Sequence, residues 1–123
     1  MKLSIVIVTW QSVKVVGGCL RSLGSSGAGE ILVVDNHSTD GTVSEVRRRF
    51  PETGILALPS NLGFAAACNR GLAATTGETV LFLNPDVRAL PASVQTLLAT
   101  LVHHPHAGAV GGNERNHGLG NFA

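Results

Sequence analysis

Two rhythms of apolar positions alternate along this chain. Over residues 3–8 nearly every position is apolar and most are β-branched, the pattern of a strand buried on both faces of a parallel sheet. Residues 31–34, 55–58 and 79–83 repeat the pattern in shorter form, and 107–110 is a weaker fifth candidate. Between the strands the period changes. Val16, Cys19, Leu20 and Leu23 recur at helical spacing and predict an amphipathic helix, with Ser12 as its N-cap and Gly24 as its stop. Val43, Val46 and Phe50 predict a second helix, opened by Thr42 and Glu45 at capping-box spacing. An alanine-rich third helix is expected over about 64–74, with Gly77 suited to a C-terminal cap. Pro91 fits the first turn of a fourth, whose buried stripe is Val94, Leu97, Leu98, Leu101 and Val102 and which Pro105 ends.

Strand and helix therefore alternate, which predicts an α/β fold: a mostly parallel sheet with helices on both faces, joined by right-handed crossovers. The 123 residues suffice for one core and not for two. The domain is expected over 1–112. Residues 113–123 are polar, rich in Gly and Asn and without periodicity, so no ordered structure is expected there.

Composition narrows the function. Apolar residues make up 44% of the chain and charged ones 14%, as in a folded globular protein. Nine basic and eight acidic residues leave a formal charge of +1, too small a field to hold a nucleic-acid backbone, so no nucleic-acid partner is expected. The longest basic run, Arg47-Arg48-Arg49, falls at a helix C-terminus, where cations complement the helix dipole. Cys19 and Cys68 lie in helical patterns at no metal-ligand or disulfide spacing, which fits a reducing compartment. The first apolar run is too short for a signal peptide or a membrane span, and a cytoplasmic location is expected.

In open α/β sheets ligands bind beyond the carboxyl ends of the strands. Here those ends are polar: Thr9-Trp10-Gln11 after the first strand, Asp35-Asn36-His37-Ser38 after the second, Asn84-Pro85-Asp86 after the fourth. No glycine-rich phosphate loop follows any strand, so a nucleotide needs another counter-charge. Asn84 and Asp86 stand two apart in an extended segment and can present hard oxygens to Mg²⁺ or Mn²⁺ from one side, although Asn-Pro-Asp taken by itself reads more simply as a turn. Asp35 is either an acceptor for a base or ribose group or the residue that opens an Asx-turn. Trp10 is either a large core residue or a surface for a base. Small residues around Asn61-Leu62-Gly63 and Ala65-Ala66-Ala67 allow close approach, either to the sheet or to a ligand, with Asn69 and Arg70 one turn further on. His103, His104 and His106, at a helix end before and after a proline, read as exposed, dipole-favoured residues rather than metal ligands.

Taken in order, SIVIVTWQS, EILVVDNHSTDGT, NLGFAAACNRGL and GETVLFLNPDV resemble the inverting family-two glycosyltransferases over about residues 3–90, and most closely their rhamnosyltransferase-like branch. The resemblance implies the nucleotide-binding, Rossmann-like half of a GT-A fold, binding a nucleoside-diphosphate sugar with a divalent cation, Mg²⁺ or Mn²⁺. By position it puts Thr9 and Trp10 near the nucleoside, Asp35 on the base or ribose with Asn36 beside it, and Gly63, Asn69 and Asn84 along the sugar-nucleotide pocket. Asp86 holds the metal. Asn84 stands where many members carry aspartate, which leaves Asp86 as the main ligand, and Trp10-Gln11 replaces a frequent tyrosine-asparagine pair.

The implied reaction is a single inverting displacement on a glycan or lipid-linked acceptor, in which a downstream carboxylate deprotonates the acceptor. Only Glu114 follows Asp86 as a carboxylate, so the catalytic base is unassigned. The chain is expected to be the N-terminal part of such an enzyme, inactive in isolation, with any contact to the inner face of the membrane made through a missing C-terminal region. The alternative is a non-enzymatic nucleotide-binding α/β module.

Overall fold

The computed structural model, which describes residues 2–116 and 120–122, sets β1 (Leu3–Thr9) inside a four-stranded parallel sheet. On one flank lie β2 (Glu30–Asp35) and then β3 (Gly54–Ala57); on the other lies β4 (Thr79–Leu83), giving the order β3-β2-β1-β4. The register sets Thr9 opposite Asp35 and Ile7 opposite Leu83. The chain builds outward from β1 through α1 (Val16–Ser22), β2, α2 (Thr42–Arg49) and β3, then crosses back through α3 (Phe64–Ala74) to β4. The direction of winding therefore reverses between β1 and β4, and a crevice opens at their carboxyl ends. The sheet, its parallel sense and its helices agree with the sequence pattern.

Two apolar layers hold it. Ile5, Ile7 and Val33 pack on one face against Val16, Cys19 and Leu20 of α1, Leu23 just past its end, Val46 of α2 and Val94 of α4 (Ser93–His103). Val6 and Val34 face the other way, against Ala67 of α3 and Leu58. Each Val, Leu or Ile among them contributes about 1.5–3 kcal/mol when fully buried. The second layer is thin because α3 sits close: a Cβ on Gly71 would come within 2.6 Å of Val6 Cγ1 and 3.1 Å of Val34 Cγ2. That is the close helix-to-sheet approach its small residues allow.

Several local expectations are corrected. Residues 107–110 form no strand. Ser12 does not cap α1 with its side chain; its carbonyl accepts from Val15 and Val16, while its hydroxyl bonds the backbone of Trp10. Thr42 and Glu45 form no capping box, because Thr42 Oγ1 bonds Asp40 and Ser12 N, and Glu45 pairs with Arg48 and Arg49 at 3.1 Å each. Pro91 lies before the helix, which starts after Ala92 in a left-handed conformation (φ 66°). Only Val94 of the expected α4 stripe is buried, and Val102 is exposed. The outer edge of β4 pairs with no strand among the described residues, and a groove of about 430 Å³ runs between it and Leu97 and Leu101 of α4.

Gly77 does not cap α3, which ends at Ala74 with Thr75 as its C-cap. It lies instead against β1, where its N–H donates to Ser4 Oγ at 2.8 Å. This is the amino end of the sheet, and Glu30 ties it together. Its Oε2 accepts from Ser4 Oγ at 2.6 Å and Thr76 N at 2.8 Å, with Lys2 Nζ 3.3 Å away. These donors, the Ser4 hydroxyl foremost, hold the Glu30 carboxyl down to about 2. Within the tail expected at 113–123, β5 (Glu114–Asn116) and β6 (Gly120–Phe122) pair antiparallel; residues 117–119 and 123 lie outside the described residues. No helix among the described residues is long and apolar enough to cross a membrane.

Candidate functional site

At the carboxyl edge of the sheet, three neighbouring strands release the three polar loops together. Asp35 leaves β2 and Asn84 and Asp86 follow β4, with Thr9 at the end of β1 between them. Two strand spacings, about 10 Å, separate the outer pair.

Asp35 is only 1% exposed, and its carboxylate is closely engaged. Oδ1 accepts from Thr9 Oγ1 at 2.7 Å and Ser38 Oγ at 2.6 Å, and Oδ2 accepts from Ser38 N at 2.8 Å. A carboxylate has about four acceptor positions, so one on Oδ2 stays available. Asp35 thus forms the turn that its type allows and keeps a limited acceptor capacity.

The same loop is joined to the one after β1 by further bonds. Gln11, held at φ 51°, donates its backbone N–H to Ser38 Oγ at 2.8 Å, and its side-chain amide exchanges hydrogen bonds with Thr39 at 2.7 and 3.1 Å. Val13 N reaches Asp40 Oδ2 at 3.1 Å and Ser12 N reaches Thr42 Oγ1 at 3.0 Å. Sequence reasoning missed Ser38, Thr39 and Asp40 as partners. The available signal was the unbroken polar run 35–42 at a strand end, where short side chains satisfy neighbouring backbone.

Asn36 is 3% exposed, and its amide is spent on the chain: Oδ1 accepts from Leu62 N and Nδ2 donates to the Gly63 carbonyl, each at 3.1 Å. It fixes the entry to α3, where Gly63 takes φ 87°. Trp10, by contrast, is 57% exposed, so its ring is no core residue, and its backbone just past β1 is anchored by Ser12 Oγ. Asn69 is exposed on α3, and its side chain makes no hydrogen bond among the described residues.

Asn84 and Asp86 are both exposed. A turn closed by Val87 N on the Asn84 carbonyl at 3.2 Å carries them. Asp86 has no hydrogen bond or ion pair among the described residues, so its oxygens are open to a ligand. Its charge is still felt inside: burial first and Asp86 second push the Cys19 thiol up to about 11. No group of three or more His, Cys, Asp or Glu converges among the described residues. One carboxylate and one amide suit an ion that completes its shell with phosphate oxygens and water, as Mg²⁺ does beside nucleotides. His103, His104 and His106 are exposed at the far end of α4, and His104 Nδ1 lies 2.9 Å from the Thr100 carbonyl.

Comparison with known proteins follows the same outline. The model of the family "Glycosyl transferase family 2" matches residues 4–121. An N-acetylglucosaminyl-diphospho-decaprenol L-rhamnosyltransferase of Mycobacterium tuberculosis is 37% identical over 92 residues, which cover 66% of this chain and 30% of the relative. The chain thus spans less than a third of the length of that curated relative. Among solved structures, Staphylococcus aureus TarS 1-349 in complex with UDP superposes with a TM-score of 0.73 at 28% identity, over 85% of this chain and 33% of the other. The mannosyltransferase PcManGT of Pyrobaculum calidifontis, in complex with GDP-Man and Mn²⁺, gives 0.68 at 28% identity, over 89% and 34%.

Proposed function

This chain belongs to glycosyl transferase family 2, and from that premise we propose that it binds the nucleoside-diphosphate sugar in an enzyme that transfers a sugar, with inversion, to a glycan or lipid-linked acceptor. The observation that carries the reading is the flanking of Thr9 by Asp35 on one side and by Asn84 and Asp86 on the other, at the point where the winding of the sheet reverses. A nucleoside at the β1–β2 side meets the exposed Trp10 ring and the free acceptor position of Asp35. Its diphosphate then lies toward β4, where Asp86, with Asn84 beside it, holds a divalent cation. When bound, that ion supplies positive charge against the departing diphosphate.

The chain's own contribution is orientation. Asp35 and Asn36 lock the β2 loop, Gln11 joins it to the β1 loop, and a donor meets a surface already arranged. Gly63 and Asn69 on α3 complete the sugar side of the pocket in this reading. The relative that acts on a decaprenol-linked acceptor supports a lipid-diphosphate acceptor of the same kind, and a deoxyhexose such as rhamnose as the sugar. Such an acceptor fits a site at the cytoplasmic face of a membrane. The residue that deprotonates it is assigned to none of those described.

Calorimetric titration of the 123-residue chain with UDP and with dTDP, with and without Mn²⁺, tests the proposal. Mn²⁺ is expected to tighten binding of at least one diphosphate, and Asp86→Ala to remove that gain while leaving stability within about 0.5 kcal/mol, since Asp86 is exposed and unpaired. Identical affinities with and without the ion would overturn it.

A further inference from the structure

We propose that α1 positions the cation-binding segment: Cys19, Ser22 and the bare backbone of Gly18 fix the course of residues 84–89 and so the direction from which Asn84 and Asp86 reach the ion. The inference rests on the reading of Asp86 as a cation ligand given above.

Past Leu83 the segment has left the sheet, and the only hydrogen bond it makes within itself is Val87 N to the Asn84 carbonyl. Its remaining hydrogen bonds among the described residues go to one helix. The Cys19 thiol donates to the Asn84 carbonyl at 3.6 Å, which is hydrogen-bond range for sulfur. Ala89 N donates to Ser22 Oγ at 2.9 Å, and Ser22 Oγ in turn donates to the Cys19 carbonyl at 2.6 Å. Ser22 therefore has its hydroxyl satisfied in both directions and its rotamer fixed. Arg88, between these anchors, lies across Gly18, where a Cβ would come within 2.9 Å of its Nε.

Positions 18, 19 and 22 fall on one side of a helix, three and four residues apart. They grip the segment at both ends, with Asp86 between the grips. Because α1 is itself packed into the core by Val16 and Leu20, with Leu23 buried just past its end, the grip is anchored to β1. Groups that bond the chain around a metal ligand govern affinity although they never touch the ion.

The test compares Ser22→Ala, Ser22→Thr, Cys19→Ala and Asp86→Ala, using the ratio of UDP affinities with and without Mn²⁺ in each protein. Hydrogen exchange at the Ala89 amide provides a second readout. Ser22→Ala is expected to lower the ratio about tenfold and to speed Ala89 exchange, and Ser22→Thr, which keeps the hydroxyl, to restore both. Should Cys19→Ala fail to fold, the Ser22 pair decides alone. If Asp86→Ala removes the Mn²⁺ effect while Ser22→Ala leaves the ratio within about twofold of the unmodified chain, the positioning role is overturned. If the unmodified chain shows no Mn²⁺ effect, the cation reading fails and takes this inference with it.

Discussion

Asp35 shows how one residue can serve two readings at once. The sequence left open whether it accepts from a ligand or opens a turn, and the structure gives it three internal donors with one acceptor position to spare. Removing it should therefore be felt first as lost stability. Asp35→Ala strands the buried Thr9 hydroxyl and the part-buried Ser38 amide, and urea unfolding is expected to show a loss of about 3 kcal/mol. An exposed, ligand-only carboxylate would show almost none. Asp86 is that contrasting case, exposed and without a hydrogen bond or ion pair among the described residues, and for it the loss should appear in metal-dependent binding alone. Residue type and position told which side chains gather at the mouth. Which of them are consumed by the loops could not be read, because that depends on hydrogen bonds between segments 26–30 residues apart.

Elements were legible where burial dictates the pattern. β1 and α3 follow from apolar runs and helical spacing, and β4 falls where its residues alone put it. Caps were less legible, since Ser12 and Thr42 fit local rules but find better partners across the loops. The stripe of α4 was read as buried because apolar periodicity signals a face and says nothing of what covers it. Glu30 is a further case that only assembly reveals, a single carboxylate joining β1, β2 and the connection from α3 to β4. Its carboxyl is held near 2 in the fold against an ordinary value of 4.5. A depressed folded-state pKa contributes stability above the unfolded value, and that contribution is lost as pH falls from about 4.5 towards 2. The melting temperature should thus decline more steeply across this window in the unmodified chain than in Glu30→Gln. Equal slopes would mean that Glu30 does not link these elements.

For the whole molecule, the two ends of the sheet are different in kind: the carboxyl end carries the open polar loops, and the amino end is a closed knot. Gly77 belongs to the knot. A Cβ there would meet Ser4 Oγ at 2.4 Å, Ser4 N at 2.7 Å and the Thr79 carbonyl at 3.0 Å. Two of these are backbone atoms that cannot swing aside. Gly77→Ala is expected to cost about 1–3 kcal/mol in urea unfolding, and the relief open to it is to shift β4 along or away from β1. A five-residue strand, about 16 Å long, transmits such a shift as a rigid rod rather than absorbing it. Its other end bears Asn84 and Asp86. A blind screen for chains that lose Mn²⁺-dependent nucleotide capture should therefore return hits at position 77, in a place where no ligand ever comes.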